Sequence, residues 1–105
     1  MTKKDFRDHL ASLYARYPLI DKNKRKSINE LLYVLRMDSD YNYNITICEG
    51  NKYKFIPDVR ETFVPLRTLT KYVGLVTLDE DMCYGNCLTL TVDIHRYKKF
   101  EKMEV

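Results

Sequence analysis

Leu88-Thr89-Leu90-Thr91-Val92-Asp93-Ile94-His95 alternates apolar and polar side chains without a break. Successive side chains of a strand point to opposite faces, so this run predicts a strand with one covered and one solvated side. Such a strand needs a neighbour, and the turn residues before it supply one. With Tyr84-Gly85-Asn86 as the loop, Met82 pairs with Leu88, Leu78 with Val92 and Val76 with Ile94. An earlier stretch repeats the pattern: Tyr41-Asn42-Tyr43-Asn44-Ile45-Thr46-Ile47 and Tyr53-Lys54-Phe55 flank Glu49-Gly50-Asn51. A two-residue Gly50-Asn51 loop sets Ile47 against Lys54. A three-residue loop sets Ile47 against Tyr53 and Ile45 against Phe55, keeping one face apolar. Because a one-residue slip flips every side chain, the pattern favours the three-residue register. Both loops read Cys-x-Gly-Asn, at 48–51 and 83–86, which shared turn chemistry explains without a duplication.

The chain ahead of these hairpins has a different period. Thr2 and Asp5 form a capping box, and Phe6, Leu10, Leu13 and Tyr17 follow at helical spacing until Pro18 forces a stop. Ser27 and Glu30 form a second box, with Ile28, Leu31, Leu32 and Leu35 making an apolar stripe to about Met37. Between the hairpins, Pro57 to Pro65 reads as irregular, and Pro65 opens a short helix over 66–73 closed by Gly74. The expected fold is therefore α+β: two N-terminal helices packed on an antiparallel sheet built from two β-hairpins, with room for one short helix between them. One domain holds it all, with 1–37 helical and 38–105 mainly β.

Composition narrows the function classes. A chain of 105 residues has room for one core, and its 29 Ile, Leu, Val and Phe residues are enough to build it. No apolar run reaches the roughly 18 residues of a membrane span, and the charged start lacks the apolar stretch of a signal peptide. Three glycines argue against glycine-loop nucleotide sites. Cys48, Cys83 and Cys87 are an odd set, so reduced thiols and a cytoplasmic setting are expected. Charge is uneven: residues 1–26, with eight Lys or Arg against three Asp, carry +5, while 27–105, with ten against twelve Asp or Glu, carry −2.

Each constellation that could carry chemistry has a competing structural reading. Asp38, Asp40, Asn42, Asn44, Thr46 and Glu49 stand at the ligand positions of a calcium loop. Tyr43 replaces the glycine of its sharp turn, and the strand pattern claims the same residues. Cys83-x-x-x-Cys87 lacks the second ligand pair that zinc needs, and reads as cross-strand neighbours. No metal or cofactor is assigned. Asp93 beside His95 on the polar face of the last strand is the candidate catalytic pair, an Asp orienting a His as general base for metal-independent nucleic-acid cleavage. No nucleophile motif, P-loop or dinucleotide fingerprint accompanies it, and a half-solvated sheet shows such residues in any case.

Nine tyrosines without a tryptophan are more than so small a core can absorb. Tyrosine supplies large, stiff contact area with a polar tip, as protein interfaces use it. The expected function is a small protein–protein interaction module without catalysis, with Tyr41, Tyr43 and Tyr84 as contact residues. Size and composition suit a compact viral or mobile-element accessory protein that inhibits by occupying a partner's surface. The alternative is a nucleic-acid binder using Lys22, Lys24, Arg25 and Lys26. Edge strands of a small sheet can also pair two copies into a homodimer.

Overall fold

The computed structural model describes residues 1–17 and 26–94. Helix α1 (Lys3–Arg16) and helix α2 (Ile28–Met37) precede strands β1 (Asn42–Glu49) and β2 (Lys52–Ile56). A four-residue helix α3 (Leu66–Leu69) then leads to β3 (Val73–Leu78), a 3-10 turn at Glu80–Met82, and β4 (Cys87–Ile94). The fold is α+β, as the two sequence periods require.

Both N-terminal helices start where their caps place them. Thr2 Oγ1 accepts from the Asp5 amide at 3.2 Å while Asp5 returns a bond to the Thr2 amide, and Ser27 Oγ accepts from the Glu30 amide at 3.2 Å. Each side chain satisfies an amide that the first helical turn leaves without an internal partner. The α1 start is also tied to the distant 3-10 turn, because the Lys3 amide donates to Glu80 Oε1 at 2.8 Å. A carboxylate there complements the positive end of the helix dipole.

The sheet runs β2-β1-β4-β3. Each hairpin is antiparallel, but the two join through a parallel pair, β1 with β4, so the sheet is mixed rather than wholly antiparallel. Alternation along a strand records which face is covered and is blind to the direction of the neighbour. In the parallel pair Tyr43, Ile45 and Ile47 sit beside Leu88, Leu90 and Val92, and all six are buried. They form the floor of the core. Phe6 and Leu13 of α1 and Ile28, Leu31, Leu32 and Leu35 of α2 close it from above.

The first hairpin departs from the expected register. Ile45 pairs with Ile56, Thr46 with Phe55 and Ile47 with Lys54, so Gly50-Asn51 is a two-residue loop and the three-residue alternative is wrong. Gly50 has φ of 60°, the left-handed value that the first position of a type II′ hairpin turn requires. Apolar matching lost because β2 is an edge strand: only Ile56 of its five residues is buried, so little hydrophobic free energy depends on which face the others take. The second hairpin keeps the expected faces but shifts by two, with Val76 opposite Val92 and Leu78 opposite Leu90. Its loop is also two residues, since Tyr84 and Cys87 exchange backbone bonds of 3.0 Å around Gly85-Asn86. Cys83 is therefore not the cross-strand neighbour of Cys87. Helix α3 is shorter than the predicted 66–73, and Gly74 lies at the irregularity between Val73 and Leu75 rather than capping a helix. The chain turns there because Val73 donates to the Lys26 carbonyl and Ile28 to that of Lys71, each at 2.8 Å.

Candidate functional site

Residues 42–49 form β1, which sends alternate side chains to opposite faces. A calcium loop would need them converging on one point. The polar chemistry of this region gathers instead around Asp38, at the C-terminal end of α2, whose carboxylate is fully buried. His9 Nε2 donates to Oδ2 at 2.7 Å, the Tyr43 hydroxyl donates to the same oxygen, and the Asp40 amide donates to Oδ1 at 2.9 Å. Burial pushes the Asp38 pKa up, but these bonds and the attraction of His9 outweigh it and hold the carboxyl below its ordinary range. Burial first, then the bond to Asp38, pushes the Tyr43 pKa well above its usual value.

The cluster joins α1, α2 and β1 at one buried point. Arg60 extends it, its guanidinium donating to the carbonyls of Asp38 and Tyr41. His9, Asp38 and Asp40 bring potential metal-ligand atoms within 4.8 Å of one another. Both Asp38 oxygens, however, already accept protein donors, so the arrangement reads as a structural clamp.

The predicted contact tyrosines separate. Tyr43 is fully buried on the core side of β1 and cannot meet a partner, a correction that follows from its place in the 43-45-47 alternation. Tyr41 is half-buried, its ring edge-on to His9 at 5.2 Å between centroids. Tyr84 stands 70% exposed beside the second turn. Asp93 is exposed on β4, opposite Leu75. His95, with Lys22, Lys24 and Arg25, lies outside the described residues, which leaves Asp93 as the described member of the catalytic pair and Lys26 as the described cation among the four named in the basic run. Lys26 is described, and its ammonium sits 3.6 Å from the centre of the Tyr14 ring.

Two surfaces emerge that the sequence reading missed. On the sheet face turned away from α1 and α2, the registers align Phe55-Thr46-Thr91-Thr77 in one row and Tyr53-Cys48-Asp93-Leu75 in the next. Tyr53, Phe55 and Leu75 are 72%, 57% and 58% exposed there. Toward the Asn44 end this face is closed by the second turn region: Thr89 Oγ1 donates to the Met82 carbonyl at 3.0 Å and is nearly buried. The other surface lies on the helix side, past the edge of the core. An open groove of about 440 Å³ between β2 and α3 is lined by Ile47, Glu49, Lys52, Tyr53, Lys54, Arg67, Thr68 and Lys71. Lys71 pairs with Glu49 across it.

Both surfaces follow from the two-residue Gly50-Asn51 turn. It sends Tyr53 and Phe55 to the open face and Lys52 and Lys54 to the helix side, where the expected register would have done the reverse. The signal was present in Glu49-Gly50-Asn51-Lys52, which places opposite charges across a tight turn. Among the described residues, no helix is long and apolar enough to cross a membrane. Comparison with protein-family models, curated proteins and solved structures finds no significant match to this chain.

Proposed function

We propose that this chain is a small protein-binding module that acts by occupying a partner's surface, with the open sheet face as its contact area. The observation that carries this reading is the exposure of Tyr53, Phe55 and Leu75 around a threonine-rich centre formed by Thr46, Thr77 and Thr91. Scattered apolar residues on a surface mean little, but here the pairing registers collect them on one face. Aromatic anchors flanking short polar side chains suit a protein partner, which fills the apolar flanks and bonds to the hydroxyls. Tyr84 and Met82, also exposed, extend the contact area at the second turn.

On this reading the protein is an accessory factor or inhibitor, working in the cytoplasm without catalysis. Capture from a nuclease-treated lysate tests it, comparing the natural chain with the Phe55→Ala/Leu75→Ala double variant. The expected result is a stoichiometric partner held by the natural chain and lost by the variant, with melting temperatures within about 2 °C, as exposed positions allow. Retention by both chains would overturn the assignment of this face. A homodimer in solution that the double variant abolishes would replace the separate partner with a second copy.

A further inference from the structure

A different surface of the same molecule carries a second ligand. We infer that the groove between β2 and α3 binds single-stranded nucleic acid through its phosphate backbone. This does not depend on the protein-binding role of the open face. Residues 27–105 hold ten Lys or Arg against twelve Asp or Glu, so this part of the chain is acidic. Among the described residues of that part, 27–94, four of the six Lys or Arg, namely Lys52, Lys54, Arg67 and Lys71, nevertheless line one groove, and one of the ten Asp or Glu, Glu49, joins them. Composition does not produce that segregation; the fold does. The turn register delivers two lysines from β2, and the chain around α3 delivers Arg67 and Lys71.

The geometry selects the class of anion. Lys52 and Lys54 are two apart on one strand, about 6.6 Å along its axis, a step comparable to that between successive phosphates of an extended chain. The groove is open, so a small phosphate would remain mostly in water and gain little. A polymer makes its ionic contacts in series and releases counterions at each.

Fluorescence anisotropy with labelled single-stranded DNA and RNA 12-mers and a duplex of equal length, over a salt series, tests this. The variants are Lys52→Glu/Lys54→Glu, the milder Lys52→Gln/Lys54→Gln in case charge reversal disturbs folding, and Tyr53→Ala. Lys4→Glu/Arg7→Glu is the control, changing net charge equally on α1, whose Arg7 flanks β3 at the opposite sheet edge. The natural chain should prefer single strands, with log affinity falling linearly in log salt at a slope of about −2 for three phosphates neutralised. Either lysine pair should weaken binding about tenfold at low salt and flatten that slope, while the control stays within about twofold. Tyr53→Ala, whose ring belongs to the open face, should stay within about twofold, as the control does. The DNA and RNA arms decide which polymer is preferred. Absence of binding at low salt would overturn the proposal, as would equal loss in the control. Equal displacement by polyglutamate would also overturn it, pointing to an acidic protein surface.

Discussion

Asp38 shows how much of this structure hangs on single side chains. Its carboxylate is buried, so every hydrogen bond it accepts replaces one to water that folding removed. Tyr43→Phe deletes one of these donors without changing the ring. It should cost about 1.5–3 kcal/mol in chemical denaturation, the range for a hydrogen bond to a charged group. A loss below about 0.5 kcal/mol would mean that water reaches the carboxylate. The pKa shifts add a pH signature. Asp38 is depressed in the folded state, so its contribution is complete above its unfolded value near pH 4 and disappears as pH falls through the lowered one. Tyr14 and Tyr43 are shifted upward from 10.0, chiefly by burial, so their contribution is complete below pH 10 and is lost at higher pH. Stability measured against pH should fall at both ends, and Asp38→Asn, though less stable overall, should flatten the acid limb. An acid limb unchanged in Asp38→Asn would contradict the assignment. None of this clamp was legible in the sequence. His9 and Asp38 are 29 residues apart, and only the packing of α1 against α2 brings them together.

At the scale of elements, caps and alternation were legible and registers were not. Thr2, Ser27 and the apolar stripes place both helices, and the 88-90-92 alternation places β4 with the correct inward face. Strand direction and pairing offset depend on partners and turns that alternation does not encode. The two Cys-x-Gly-Asn motifs resolve the offset in the same way, each using Gly-Asn as a two-residue loop with glycine at φ of 60° or 59°. Gly85 offers a clean test, because an added Cβ would meet nothing within 4 Å and the penalty is purely conformational. Gly85→Ala should destabilise by about 1 kcal/mol, and Gly85→Asn by less, since asparagine tolerates the left-handed region. Equal stability of all three chains in thermal melts would show that the turn does not hold this conformation.

For the whole molecule, the central feature is a sheet with one face covered by α1 and α2 and the other left largely open by the described residues, whose edge strand β2 divides its side chains between two surfaces. Lys52 and Lys54 belong to the basic groove, while Tyr53 and Phe55 belong to the open face. Alterations at these exposed positions should change binding while leaving the melting temperature nearly constant, the reverse of what Tyr43→Phe should do. The sequence predicts a contact surface built on aromatic side chains and names Tyr43 for it, but Tyr43 packs inward, because tyrosine count carries no information about facing. The cations of 22–26 are consecutive and so visible in the sequence, whereas Lys52, Lys54, Arg67 and Lys71 are brought into one groove only by the fold. Both surfaces rest on one structural fact, the register of the first hairpin. The most direct test is therefore the pattern of cross-strand backbone NOEs between β1 and β2 in solution. The account predicts contacts pairing Thr46 with Phe55 and Ile47 with Lys54. Contacts pairing Ile47 with Tyr53 and Ile45 with Phe55 would turn the aromatics toward the helices, and would contradict it.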